Sequence, residues 1–193
     1  MNNELLISDY NYPLPEDRIA KFPLERREMS KLLVYEKGGI SESRFARIGE
    51  ALPAGAMLVF NNTKVIRARL VFYKPTGARI EIFCLDPHDP ADYGRAFAVK
   101  GSCRWSCIVG NLKKWKDDEL HIDFEAEGRA QRLTARKAGQ TDKEQIIEFS
   151  WNGDQSFGQL LETLGRIPIP PYLCRESEEL DNSRYQTVYS RFE

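Results

Sequence analysis

The sequence predicts an α/β fold interrupted by an inserted all-β domain. Helical periodicity and apolar strands alternate at both ends of the chain, whereas short alternating strands separated by turn residues fill its middle. Residues 1–69 and 151–193 are therefore assigned to the α/β domain, and residues 70–150 to the insert. The insert is expected to be a small barrel or sandwich.

The N-terminal segment carries signals for both helices and strands. Pro15 stands at a helix start and is followed by two acids, which interact favourably with a helix N-terminus. The short apolar runs "KLLVYE" (31–36) and "MLVFN" (57–61) are typical of buried strands. Between them, "SRFARIGEAL" (43–52) spaces its apolar residues with the period of a helix.

The middle and the C-terminal flank follow different patterns. In "VIRARLVFY", arginines 67 and 69 share one face and apolar residues share the other, which predicts a half-buried strand. "ARIEIFCL", "RWSCIV", "LHIDFEA" and "QIIEFSW" predict further strands. After them, Asp154 or Ser156 is placed to cap a helix over "FGQLLETL", and Gly165 to end it.

Composition limits the setting and the chemistry. The formal net charge is −1, so any phosphate-binding surface must be a local patch. No apolar run is long enough to cross a bilayer and the start does not read as a secretory signal, so a cytoplasmic protein with reduced cysteines is expected. A zinc site needs about four ligands in compact spacing, and the two histidines of the chain are distant from Cys103 and Cys107 in sequence. We therefore expect both cysteines to be core residues and expect no metal site.

A first candidate site follows "MLVF". Amides and a hydroxyl at a strand end offer donors and acceptors to a ligand, which α/β folds bind beyond that edge. Basic residues follow at once, and no acid appears before Glu81. A polar turn with a solvated strand face explains the same pattern and stays open. The candidates are Asn61, Asn62, Thr63, Lys64, Arg67 and Arg69.

A second candidate site lies in "IPIPPYLCRESEELDNSRYQTVY" (167–189). Its prolines impose an extended backbone, and its arginines offer two-pronged binding of carboxylate or phosphate. Asp181 is placed to cap a helix that carries Tyr185 and Tyr189 on one side. An arm that packs on the core explains the tyrosines but not the arginines or the glutamine. The candidates are Tyr172, Arg175, Arg184, Tyr185, Gln186 and Tyr189.

A third stretch, "GNLKKWK" (110–116), interleaves lysines with Trp115. Such a pattern can bind single-stranded RNA through charge and base stacking. Acids follow directly and cancel much of the charge, so a hairpin end with a half-buried tryptophan explains the pattern better. The sequence contains no nucleotide-binding glycine loop, metal triad or nucleophile motif. Any chemistry must therefore depend on charge placement and positioning.

Three stretches together resemble one family, the S-adenosylmethionine:tRNA ribosyltransferase-isomerases of queuosine biosynthesis. They are residues 9–36, 57–85 and 165–190, in the family's order, and "PPY…R…D…YQTVY" is highly specific to it. The resemblance implies part of an α/β barrel interrupted by an inserted all-β barrel domain. It also implies a monomeric, cytoplasmic enzyme with no membrane association, no bound cofactor and no metal.

The resemblance implies two substrates. S-adenosylmethionine, as co-substrate, donates its ribosyl group to the aminomethyl arm of a 7-deazaguanine at the wobble position of tRNA. The ribose rearranges to give epoxyqueuosine, and adenine and methionine leave. By the same resemblance, the residues of both candidate sites contact substrate or RNA. The catalytic base is not assigned.

Three departures from the family pattern bear on these roles. The stretch "GSCRWSCIVGNLKKWK" (101–116) lacks the basic, glycine-punctuated pattern that is common in the family's β domain. The family more often has Asp, Arg and Pro where this chain has Asn62, Lys64 and Arg67, and an amide cannot serve as a base. The family also continues beyond "YQTVY", so this chain is expected to be the N-terminal portion of a longer protein and inactive by itself. The alternative hypothesis is a non-catalytic module that binds tRNA or another RNA through residues 64–79 and 113–116.

Overall fold

A computed structural model describes residues 6–116, 119–141, 143–175 and 178–190. Its strands form a two-stranded hairpin and a six-stranded sheet. The chain divides into two compact units, residues 1–60 with 170–176 and residues 61–169 with 177–193. The first unit contains the hairpin and the second contains the larger sheet.

The hairpin of the first unit pairs β1 (Lys31–Glu36) with β2 (Gly39–Arg44) in antiparallel register. Lys37 and Gly38 connect the strands, with φ of 50° and 85°. Two successive positive φ values give a tight turn whose twist matches that of the strands. The other elements of this unit are the 3-10 helices Ile7–Tyr10, Glu16–Arg18, Arg27–Met29, Phe45–Ala51 and Pro171–Leu173.

Three predictions for the first unit need correction. β1 is the strand predicted from "KLLVYE", but it is not buried, since Leu33 and Tyr35 are 67% and 73% exposed. "MLVFN" is not a strand, and Met57 and Val59 are 88% and 87% exposed. The predicted helix over "SRFARIGEAL" is a 3-10 helix that is interrupted at Arg47. Apolar spacing indicates which side chains would gain from burial, but burial also requires a facing element.

In the second unit, six antiparallel strands form a nearly closed barrel, which confirms the predicted all-β barrel; its position as an insert stays a prediction. Each strand pairs with its neighbour in the sheet, and the two edge strands approach one another. In spatial order the strands are β3 (Arg69–Tyr73), β4 (Arg79–Asp89), β5 (Ser102–Gly110), β8 (Gln145–Trp151), β7 (Arg129–Gln140) and β6 (Leu120–Ala126).

The barrel is filled by the apolar face of each alternating strand. Ala68 and Leu70 are buried as the alternation of "VIRARLVFY" predicted. Cys103 and Cys107 are buried as well, so both are core residues. Two helices, α1 (Tyr93–Ala98) and α2 (Phe157–Leu164), accompany the strands, and the Phe157 ring lies 5.5 Å from that of Trp105. Strand β7 and helix α1 were not predicted.

Helix α2 determines where the chain meets the barrel again. Ser156 caps it, accepting a hydrogen bond from the Gln159 backbone while the Gln159 side chain accepts one from the Ser156 backbone. At Gly165 the helix ends, and Arg166 then pairs with Arg69 through two backbone hydrogen bonds of 2.8 and 3.3 Å. This contact brings the C-terminal flank alongside β3.

The α/β barrel implied for the flanks stays a prediction. Within the described residues the flanks contribute the hairpin, the 3-10 helices, α2 and the short helix α3 (Asp181–Arg184). None of the helices in this part of the chain is long and apolar enough to cross a bilayer.

Candidate functional site

The polar turn before β3 is closed by its own side chains. Asn61 Oδ1 accepts hydrogen bonds from the Thr63 backbone N–H (2.9 Å) and from the Thr63 hydroxyl (2.6 Å). Asparagine commonly forms such a turn because its short side chain reaches the backbone two residues on. Asn61 and Thr63 therefore fix the shape of the turn. Asn62, between them, is exposed, and Lys64 is half-buried.

Gln186 joins the two candidate sites. Its side-chain Oε1 accepts a hydrogen bond from the Val65 N–H (2.7 Å), and its Nε2 donates one to the Val65 carbonyl (3.1 Å). The side-chain amide of Gln186 thus satisfies both backbone groups of Val65, as the backbone of a neighbouring β-strand would. The Thr187 N–H also donates to Gln186 Oε1, at 3.0 Å. The structure therefore brings "NNTKV" and "YQTVY" together through one partly buried side chain.

The two arginines of the first site have acidic partners. Arg67 Nη1 donates to the Glu162 carbonyl (2.8 Å), and its Nε lies 3.7 Å from the Glu162 carboxylate. Arg69 pairs with Glu81, and Arg79 Nη2 lies 2.6 Å from the other oxygen of that carboxylate. Arg69 and Glu81 each keep only 22% of the side chain exposed. The basic face predicted for phosphate binding is therefore partly neutralised by acids that the fold supplies.

Tyr172 and Arg175 belong to the first unit, whereas the rest of the second site belongs to the second unit. Arg175 Nε donates to the Lys21 carbonyl (2.8 Å), and its guanidinium lies 4.5 Å from the centre of the Phe22 ring. Both contacts hold the chain around Arg175 against residues 21–22. Tyr172 is 62% exposed.

The helix predicted to carry both tyrosines is shorter than expected. Helix α3 ends at Arg184, so Tyr185 follows its last residue and Tyr189 lies beyond it. Asp181 does not cap from outside; it lies within α3, is buried, and accepts a hydrogen bond from the Glu178 N–H (2.7 Å). The Gln186 side chain offers the Thr187 N–H an acceptor outside the helix, which explains the early end.

The buried thiols are not suited to nucleophilic chemistry. Cys84 faces Cys107 across β4 and β5, and the hydrogen bond between these thiols, together with burial, raises the pKa of Cys84. Burial also raises the pKa of Cys103. Thiols with raised pKa values stay protonated at neutral pH, and the thiolate is the reactive form. In the described ranges, no three histidine, cysteine or acidic side chains are placed to hold a metal ion.

Residues that sequence reasoning missed are the acidic partners, Glu81 and Glu162, and the backbone of Val65. Alternation placed Glu81 on the same face of its strand as Arg79, which was the one local signal. The register of β3 against β4 then sets Glu81 opposite Val71, two pairs along from Arg69 and on the same face of the sheet. For Glu162 and Val65 no local signal exists, because their partners are distant in sequence.

Comparison with known proteins identifies similar chains. The model of the family described as "Queuosine biosynthesis protein" matches residues 7–193. S-adenosylmethionine:tRNA ribosyltransferase-isomerase from Trichlorobacter lovleyi is 36% identical over 192 residues, which are 96% of this chain and 50% of the relative. The proteins of the same name from Chlorobaculum parvum and Nitratidesulfovibrio vulgaris are 34% and 35% identical, over 95% and 97% of this chain and 48% and 51% of their own lengths.

The chain thus spans about half the length of the curated relatives it matches. No solved structure matches it.

Proposed function

This chain belongs to the queuosine biosynthesis protein family, and we propose that the protein is an S-adenosylmethionine:tRNA ribosyltransferase-isomerase. It transfers the ribosyl group of S-adenosylmethionine to the 7-aminomethyl-7-deazaguanine of tRNA and rearranges it to the epoxycyclopentane of epoxyqueuosine. Adenine and methionine leave. The activity is proposed for the whole protein, because the chain corresponds to about half of each relative.

The observation that carries this proposal is the family match over residues 7–193, within which the two candidate motifs meet at Gln186 and Val65. The reaction needs little that a metal or a nucleophilic side chain would supply. The sulfonium acidifies the hydrogens on the adjacent C5′ carbon, and the protein must supply a base, a proton donor for adenine and a fixed position for the amine. Proton transfer of this kind contributes about 10²- to 10⁴-fold, and positioning contributes more.

We propose two roles among the candidate residues. The first group shapes the site, because its side chains bind other parts of the protein: Asn61, Thr63, Arg67, Arg69, Arg175 and Gln186. The second group contacts substrate or RNA, as its place in the two sequence motifs leads us to expect: Asn62, Lys64, Tyr172, Arg184, Tyr185 and Tyr189. Asn62 is a hydrogen-bonding residue in this proposal, since an amide does not accept a proton as a base does.

The finer architecture is also a proposal. Residues 1–69 and 151–193 contribute part of an α/β barrel, and residues 70–150 are the inserted domain. The nearly closed β barrel supports the second statement. We propose that the whole protein acts as a monomer in the cytoplasm, with S-adenosylmethionine as co-substrate and without a bound cofactor or metal.

The test is release of adenine by the full-length protein. The protein is incubated with S-adenosylmethionine and tRNA that carries 7-aminomethyl-7-deazaguanine at the wobble position, and adenine is followed by chromatography. The matched control is the same tRNA with guanine at that position, which lacks the attacking amine. Adenine release with the modified tRNA alone is expected; no release above the control would refute the proposal.

A second candidate function is a non-catalytic RNA-binding module. Exposed lysines between β5 and β6 favour it. Binding of tRNA that weakens with salt, without adenine release by the full-length protein, would select this function. Phosphate contacts predict a slope of about −0.7 per contact in a plot of log affinity against log salt for single strands.

A further inference from the structure

One end of the barrel gathers the connections between consecutive strands. Because the sheet is antiparallel, the turn from β3 to β4, the segment from β5 to β6 and the turn from β7 to β8 all lie at the same end. Six lysines lie on these segments and on the adjoining part of β7. Lys143 stands between acids at 142 and 144 in the sequence, and we call the other five the lysine end: Lys74, Lys113, Lys114, Lys116 and Lys137.

Hydrogen bonds hold these lysines next to one another. The ammonium group of Lys74 donates to the Lys114 carbonyl, and that of Lys137 donates to the Trp115 carbonyl, both at 3.2 Å. Lysines from two other parts of the barrel thus reach two successive carbonyls of the β5–β6 segment. The positive charges therefore converge in space although they are as much as 63 residues apart in the sequence (74 and 137).

The segment that carries three of the lysines is anchored. Trp115 is only 2% exposed, and its backbone N–H donates to the Leu112 carbonyl at 2.9 Å. Asn111 has a left-handed backbone and donates from its side chain to the Arg79 carbonyl at 3.0 Å. The lysines at 113, 114 and 116 are all exposed. A fixed turn thus presents three ammonium groups to solvent.

Acids near the lysine end balance only part of its charge. Those closest to it in the strands have other partners, since Glu81 pairs with Arg69 and Arg79, and Glu119 pairs with Arg136. The sequence also places acids at 117, 118, 142 and 144 in the connecting segments; set against the five lysines and Lys143, these four acids leave a net charge of +2. Like charges held together repel one another, and an anionic partner removes that repulsion.

We infer that the lysine end contacts the phosphate backbone of the tRNA, an inference that rests on the proposed function for the identity of the polyanion. Lysine is a compact point charge that binds phosphate without fixed geometry. Trp115 is buried and does not offer a face for stacking on a base. The contact is therefore electrostatic and independent of base sequence, and it orients the tRNA.

The lysine end suits this role better than the arginine face of β3. Arg67 and Arg69 are engaged by Glu162 and Glu81, so a phosphate would have to displace a carboxylate from each of them. The ammonium group of Lys137 donates to a neutral carbonyl, and this hydrogen bond leaves its charge in place.

The experiment removes three exposed lysines together. The full-length variant Lys113→Ala/Lys114→Ala/Lys116→Ala is compared with a matched control, Arg95→Ala/Lys100→Ala/Arg129→Ala, which removes the same charge from exposed residues at the other end of the barrel. The Kd for tRNA is measured across a series of salt concentrations from low to physiological. Melting curves and tryptophan fluorescence establish that both variants fold.

The expected result is a drop in affinity of at least about tenfold at low salt in the lysine variant. Its log–log salt slope becomes shallower by about 0.7 to 0.9 for each phosphate that is no longer bound, about 2 to 3 in total. The control retains its affinity within about twofold, and a Lys→Arg triple variant retains binding. Unchanged affinity in the lysine variant, or an equal drop in both alanine variants, would overturn the inference.

Two further measurements separate this inference from the proposed function. If the protein releases no adenine but its tRNA binding depends on the lysines, the inference stands and the proposed enzyme function fails. If adenine release proceeds with an unchanged KM for tRNA in the lysine variant, the inference fails alone. Lysine-dependent binding to vesicles of anionic lipid, with none to tRNA, would also overturn it.

Discussion

At the scale of single residues, the contact between Gln186 and Val65 has the largest consequence for the site. One primary amide satisfies both the N–H and the carbonyl of a residue that lies 121 positions away. Asn61 and Thr63, a few residues earlier, fold back on each other. The shape of "NNTKV" therefore depends on the presence of the "YQTVY" segment.

Replacing Gln186 by alanine is expected to destabilise the protein by about 2 kcal/mol, because a partly buried N–H and carbonyl lose their partners. Hydrogen exchange at the Val65 amide should become faster, and the measurement is exchange followed by mass spectrometry or NMR. Gln186→Glu is the matched control: its carboxylate still accepts from the Val65 N–H but cannot donate to the carbonyl, so an intermediate effect is expected. Equal Val65 exchange rates in wild type and Gln186→Ala would contradict this role.

The cysteines should differ sharply in reactivity. Cys174 is exposed, whereas Cys84, Cys103 and Cys107 are buried, and the pKa values of Cys84 and Cys103 are raised. A thiol reagent at mildly alkaline pH should therefore label one cysteine per native chain and all 4 in denaturant. Cys174→Ser should abolish the labelling of the native protein. Rapid labelling that survives in Cys174→Ser would show that the barrel interior opens.

At the scale of secondary-structure elements, the end of α2 depends on Gly165. A Cβ atom at this position would overlap the carbonyl oxygens of Arg67 and Leu161. The backbone itself is ordinary there, with φ of −78°, so space rather than conformation requires the glycine. The close approach allows Arg166 to pair with Arg69 and holds β3 beside the C-terminal flank.

Gly165→Ala is expected to destabilise the protein by about 3 kcal/mol, because main-chain atoms on two sides must move to admit the methyl group. Gly49→Ala is the matched control, since a Cβ there meets nothing within 4 Å, and it should change stability by less than about 0.5 kcal/mol. The free energy of unfolding in urea is the measurement. A near-neutral Gly165→Ala would mean that α2 and β3 are not held this closely.

At the scale of the whole molecule, pairs of opposite charge cross the outer surface of the barrel. Arg136 holds the pKa of Glu119 below its ordinary value of 4.5, mainly through a hydrogen bond, and Arg132 does the same for Asp123, whose ordinary value is 3.8. A lowered carboxylate pKa in the folded state means that the folded protein binds protons less readily than the unfolded chain. The pairs therefore stabilise the fold above these ordinary values, and that contribution disappears as the pH falls below them.

Acid should consequently lower the melting temperature partly through these two pairs. Between neutral pH and a pH below both ordinary values, the double variant Glu119→Gln/Asp123→Asn should lose fewer degrees than the wild type. The difference should be small, because both carboxylates are exposed to solvent, which screens their ion pairs. Melting curves at high salt are the control, since screening should reduce the difference. An equal decrease in both proteins would show that other groups account for the acid sensitivity.

The sequence by itself determined the local structure and the family. Strand patterns predicted five of the six strands of the barrel, Ser156 and Gly165 marked the ends of α2, and the motif in 167–189 indicated the family. The strands and the helix ends follow from interactions between residues a few positions apart, and periodicity and capping rules describe such interactions. Strand β7 escaped prediction because arginines and small polar residues mask its few buried positions.

Only the tertiary structure decided which partner each side chain has. It placed Glu81 and Glu162 against arginines that looked exposed, Gln186 against Val65, and the lysines of three segments at one end of the barrel. It also left the apolar residues 57–60 exposed, although their sequence indicated burial. The physical reason is that burial, ion pairing and charge clustering depend on contacts between segments that are distant in sequence. A local sequence pattern does not specify those contacts.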